Sequence, residues 1–107
     1  MNIHTIITKS YTKVLIKQNR IDIVNVAEIK IDILKRINED NSKILIDLSL
    51  VTFLDSSGLC LLVDVLKKIN TLEGELKLCG IQEQPNELLS ITQLCNLFTV
   101  VDNCERD

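Results

Sequence analysis

The residues best placed to do chemistry lie together at Asp55-Ser56-Ser57-Gly58-Leu59, where small and polar side chains interrupt a long apolar stretch. This pattern delivers two hydroxyls to the start of a helix. Serine is a favoured helix N-cap because its Oγ accepts a hydrogen bond from an otherwise unpaired backbone N–H. Gly58 removes a side chain from the first turn, so that another backbone or a ligand can approach. A catalytic serine would also need a general base, normally histidine. His4 is the only histidine, and it falls in an N-terminal strand. The G-x-S-x-G elbow is absent, because Leu54 and Asp55 precede Ser56. An enzyme is therefore not expected. With only Gly58, Gly74 and Gly80, no glycine loop can cradle a phosphate, so no cofactor is expected. Any ATP and Mg²⁺ would belong to a partner.

Cys60, Cys79, Cys95 and Cys104 form no CxxC pair and lie far in sequence from His4. That spacing signals no metal site. The expectation is four reduced thiols acting as small apolar fillers. Aromatic residues are 3% of the chain and the net charge is −3. Both weigh against nucleic acid, which asks for stacking rings and a basic surface. A protein partner fits better. Residues 44–54 form the longest apolar candidate for a membrane span, but they are too few and are broken by Asp47, Ser49 and Thr52. Met1-Asn2-Ile3-His4 has no basic segment ahead of an apolar one, so it does not read as a signal peptide. These features lead to the expectation of one cytoplasmic domain over residues 1–107.

The elements that must position the turn follow from periodicity. Residues 3–8 and 11–17 are β-branched and short, and read as a hairpin. The run Val14-Leu15-Ile16 suggests a strand covered on both faces. Asn19-Arg20-Ile21-Asp22 is a polar turn in which Asp22 can close an Asx turn. Asn25 is an acceptable N-cap for a helix with Val26, Ile29, Ile33, Leu34 and Ile37 on its apolar side, ending near Asp40-Asn41. Residues 43–48 form a buried strand and residues 57–70 a second helix. Residues 76–79 form a further strand. Pro85 suits the first position of a third helix reaching Thr92. Residues 97–101 close as a strand, and residues 102–107 read as a frayed or helical tail. Strands alternating with helices imply an α/β fold with a mostly parallel sheet, made mixed by the hairpin.

The run from Ile44 through Asp55-Ser56-Ser57-Gly58 to Leu59 resembles the hallmark segment of STAS domains, in particular bacterial anti-sigma factor antagonists. Asn19-Arg20-Ile21-Asp22 resembles that family's turn before its first helix. Leu78-Cys79-Gly80-Ile81 resembles the exit of its fourth strand. The segments Leu89-Ser90-Ile91-Thr92-Gln93-Leu94 and Leu97-Phe98-Thr99-Val100 resemble its closing helix and strand. Asn19 stands where the family usually has Gly. Gln93 replaces a common Gly or basic residue, and Cys60 a frequent small one. The resemblance implies the STAS fold, a mixed four- to five-stranded sheet with helices mainly on one face. It implies that Ser56 is phosphorylated by an anti-sigma factor that is also a serine kinase. It places Asp22, Asp55, Ser56, Ser57 and Gly58 at the partner surface, Ser57 as a neighbouring cap or hydrogen-bonding hydroxyl. A phosphoserine phosphatase is a further candidate partner, and the protein itself would be a monomer or weak dimer. The family also contains stressosome components, ligand-sensing modules and subunits of lipid-transport ATPase complexes, in which this serine need not be modified.

Overall fold

The computed structural model describes residues 2–104. In chain order, strands β1 (Ile3–Ile7), β2 (Thr12–Ile16) and β3 (Arg20–Ile21) precede helix α1 (Val26–Leu34). Strands β4 (Lys43–Asp47) and β5 (Phe53–Leu54) then lead to helix α2 (Ser56–Thr71). Strand β6 (Glu75–Cys79), helix α3 (Glu83–Ile91), a single 3-10 turn (Leu94–Leu97) and strand β7 (Thr99–Val101) complete the order. Five strands form one sheet in the order β1-β2-β4-β6-β7. The β1–β2 pair is antiparallel and the other three pairs are parallel. The expected mixed α/β sheet is therefore present. A separate parallel pair, β3 with β5, is also present, its first strand lying where only a polar turn was expected.

Alternation along the strands sets the two faces of the sheet. Val14 and Ile16, Ile44 and Ile46, and Leu76 and Leu78 join one core with Ile29 and Ile33 of α1 and with Leu59, Leu62, Val65 and Ile69 of α2. Lys13, Leu45, Asp47, Lys77 and Cys79 occupy the opposite face. Leu15 is on that face too and is only half-buried, so β2 is not sealed on both sides as its apolar run suggested. The register explains this: helices cover every second residue, whereas on the other face Leu45, Asp47 and Cys79 are buried but Lys13, Leu15 and Lys77 are only half-buried.

Two helix boundaries differ from expectation for local reasons. α1 stops at Leu34, although Ile37 is still buried. Asn38 accepts from the Asp40 amide, and Asn41 donates to the Arg36 carbonyl. These short polar side chains compete for the backbone bonds a helix would need. Pro85 is the third residue of α3, where its missing N–H still costs no helical bond. The tail differs more. Residues 102–104 return to the sheet, and Cys104 is disulfide-bonded to Cys79 with their Cα atoms 5.3 Å apart. Four reduced fillers were expected, but pairing of β7 with β6 carries Cys104 back across 25 residues of sequence. Cys60 and Cys95 are free thiols. The rest of the expected tail, residues 105–107, lies outside the described residues.

Candidate functional site

The β3–β5 pair brings the two sequence turns together. The Asn19 carbonyl accepts from the Thr52 and Phe53 amides at 2.8 and 3.3 Å. Arg20 then pairs with Phe53 and Ile21 with Leu54, and the Asp55 amide donates to the Ile21 carbonyl at 3.2 Å. The residue following Ile21 is Asp22, so the Asp22 turn sits beside the start of α2. A two-residue strand needs help on its other edge. Gln84 supplies it, accepting from the Leu54 amide at 2.8 Å and donating to the Leu54 carbonyl at 2.9 Å. The Gln84 amide thus acts as a one-residue neighbouring strand.

Asp55, not a serine, is the N-cap of α2. Its backbone is extended, and its Oδ1 accepts from the Ser57 amide at 2.8 Å and the Gly58 amide at 3.2 Å. Such a cap contributes about 1 kcal/mol. A carboxylate here also complements the positive end of the helix dipole. Freed from capping, Ser56 is the exposed first residue of the helix and Ser57 is half-buried. Gly58 is buried. A Cβ there would meet Leu54 Cδ2 at 2.6 Å and the Ile21 carbonyl at 3.3 Å. Gly58, expected at the partner surface, packs inward in the free domain, where its missing side chain admits the chain's own β3 and β5.

Asp22 closes a tight polar turn. It accepts from Arg20 Nε at 2.9 Å and from the Val24 amide at 3.0 Å. Asn25 occupies the N-cap position of α1 as expected, but its side chain makes no capping hydrogen bond. Its side chain accepts from the Asp22 amide and donates to the Arg20 carbonyl instead. Burial pushes the Asp22 carboxyl upward, but the Arg20 bond and the Val24 and Asn25 amides outweigh it and hold it below its ordinary 3.8. A depressed carboxyl stabilises the folded turn when ionised, fully above its unfolded value. That contribution is lost as pH falls through the lower, folded value. Titration should therefore shift the Val24 amide resonance below pH 3.8, while Asp22→Asn should abolish the shift. An unchanged titration in Asp22→Asn would sink this assignment.

The sequence matches the STAS domain family over residues 5–106. The chain belongs to the STAS domain family. It is 29% identical over 106 residues to the anti-sigma-B factor antagonist of Staphylococcus aureus, covering 98% of this chain and 96% of that one. A candidate anti-sigma factor antagonist from Thermotoga maritima superposes with a TM-score of 0.82 at 26% identity, covering 94% of this chain and 86% of the other. SpoIIAA, a Bacillus cell fate determinant solved in its phosphorylated form, shares the fold with a TM-score of 0.69 at 16% identity, covering 94% and 92% of the two chains.

In this STAS domain the fold sets the Asp22 turn beside Asp55 at the start of α2, with Ser56 and Ser57 following and Gly58 packed against Ile21 and Leu54. Sequence reasoning missed Gln84 and also Gln82, whose side-chain amide donates to the Ser49 carbonyl. It also missed Arg20, whose guanidinium lies 4.8 Å from the centre of the Phe53 ring. Such a contact contributes about 0.5–1 kcal/mol at an exposed site. Ile23 and Val24 continue the Asp22 turn and are 76% and 87% exposed.

Proposed function

We propose that this STAS domain is an anti-sigma factor antagonist, and that phosphorylation of Ser56 by an anti-sigma factor with serine kinase activity switches off their binding. Unphosphorylated, the domain sequesters the anti-sigma factor and a sigma factor is released. A phosphoserine phosphatase would restore the active form. The reading takes residues 1–107 as one cytoplasmic domain. The similarity to the Staphylococcus aureus antagonist supports the partner class. The observation that carries the choice of residue is an exposed hydroxyl at the first position of α2 whose capping duty is taken by Asp55. Modifying Ser56 therefore removes no cap.

In the transfer, Ser56 Oγ would form a bond to the γ-phosphorus of ATP as the bond to the ADP oxygen breaks. The hydroxyl proton passes to a base on the kinase, which also supplies the nucleotide and Mg²⁺. The added group carries about −1.5 to −2 charges and three acceptor oxygens. A helix N-terminus normally welcomes a phosphate through its unpaired N–H groups. Here the Ser57 and Gly58 amides are already bonded to Asp55. The new dianion must displace that carboxylate or remain in solvent beside it. Its main effect is then on a partner surface shaped for a neutral hydroxyl and for the apolar pair Ile23 and Val24.

Intact-mass measurement after incubation with the cognate kinase and ATP tests this. Wild type and Ser57→Ala should each gain one phosphate, and Ser56→Ala none. No gain by wild type, or an equal gain by Ser56→Ala, would reject Ser56 as the acceptor.

A further inference from the structure

The helix-free face of the sheet carries a feature unrelated to Ser56. Leu45, Asp47 and Cys79 are buried there, at 4%, 4% and 0% exposure. Leu45 and Cys79 nevertheless stand outside the helix-packed core. The segment after β7 accounts for part of this cover. Val101 pairs with Cys79, and the chain then turns so that the Cys104 sulfur bonds to that of Cys79. Asp102 and Asn103 form one wall of an open groove of about 700 Å³ whose floor includes Leu45 and Lys77. The disulfide therefore fastens that wall to the sheet.

We propose that Cys79 and Cys104 form a redox-responsive latch that holds residues 102–104 over the helix-free face. The two cysteines differ in exposure. Cys79 is fully buried within β6, whereas Cys104 is half-buried at the end of the segment. Exchange depends on which sulfur a thiolate can reach. A small thiolate attacks the Cys104 sulfur, forming a mixed disulfide and expelling the Cys79 thiolate, which takes up a proton. A second small thiolate attacks the sulfur of the small thiol in that mixed disulfide. It releases Cys104 as a thiolate, which takes up a proton, and leaves a small-molecule disulfide. The net change is one protein disulfide and two thiols giving two protein thiols and one small disulfide. Closure is the reverse. Asp47, buried and paired with half-buried Lys13 at 3.5 Å, lies beside the sulfurs, so opening increases the exposure of this ion pair.

The full chain is equilibrated in a series of reduced-to-oxidised glutathione ratios, blocked with N-ethylmaleimide and mapped by mass. Cys79 and Cys104 should change together from alkylated to protected as the ratio becomes oxidising, with the protected form lighter by two hydrogen atoms before blocking. Cys60 and Cys95 should be alkylated or carry glutathione throughout, never paired with Cys79 or Cys104. Hydrogen exchange at the amides of residues 101–103 should be at least tenfold faster in the reduced protein, and Cys104→Ser should behave as reduced under every condition. Because Cys104 is half-buried, this variant spares the core, and the wild-type ratio series stands even where it does not. A disulfide that survives every ratio in the folded protein, or one that never forms, would overturn the latch. So would unchanged exchange at residues 101–103. One zinc ion retained per reduced chain, with both thiols protected, would overturn it in favour of a metal site built from Asp47, Cys79 and Cys104, whose ligand atoms lie within 4.8 Å of one another.

Discussion

Ser56→Asp should weaken binding to the proposed anti-sigma partner by about 100-fold or more, while Ser56→Ala binds within a few-fold of wild type. The size follows from desolvation. A charge buried against a surface built for a neutral group carries a penalty of several kcal/mol unless it is paired, and each ~1.4 kcal/mol is a tenfold change in affinity. The local field adds to this, because the Asp55 carboxylate is the immediate neighbour and already occupies the Ser57 and Gly58 amides. The new charge finds no unclaimed donor in the first turn at those two amides. Calorimetric titration of the partner into wild type, Ser56→Ala and Ser56→Asp measures the difference. Far-ultraviolet circular dichroism should be the same for all three, since the cap is intact in each. Equal affinities for wild type and Ser56→Asp would end the switch proposal.

Leu54→Ala should cost about 2–5 kcal/mol of stability, the range for removing a buried leucine side chain. Leu54 is fully buried under the start of α2. Gly58→Ala tests the same packing from the other side. Alanine in a helix gains up to about 1 kcal/mol over glycine. Against that, the added Cβ would meet Leu54 Cδ2 at 2.6 Å, so the fully buried leucine side chain must shift within the packed core. Overpacking of this kind costs about 1–3 kcal/mol, so the net effect is destabilising. In the double variant the clashing methyl is gone, and the Ile21 carbonyl at 3.3 Å is the remaining tight contact. Adding Gly58→Ala to Leu54→Ala should therefore cost less than adding it to wild type, with a coupling of about 0.5–3 kcal/mol. Urea unfolding of the four proteins measures the cycle. Strictly additive costs would show that the two side chains do not share this space.

Much of the architecture was legible because its signals are local. Helical spacing of Leu59, Leu62 and Ile69 marks the face of α2 that reaches the core. The β-branched runs mark β1 and β2, and their hairpin needs only one short turn. The motif Asp55-Ser56-Ser57-Gly58 announces a helix start from composition alone. Errors arose where two local preferences compete. Both Asp and Ser are good caps, and the sequence pattern does not say which backbone is extended. The structure selects Asp55, because its amide is claimed by Ile21 and its φ and ψ are those of a strand end. The end of α1 failed for a similar reason, since Ile37 continues the apolar period while Asn38 and Asn41 capture the backbone.

By itself, then, the sequence determined the alternation of strands and helices, the apolar faces and the position of the exposed serine turn. Each depends on residues within a few positions of one another, where spacing translates directly into geometry. The tertiary structure alone decided that β3 pairs with β5 to set Asp22 beside Asp55. It also decided that Gln84 completes the edge of β5 and that Cys104 meets Cys79. Those contacts join residues 25 to 34 positions apart. Nothing in their local pattern names a partner; only closure of the parallel sheet brings them within bonding distance.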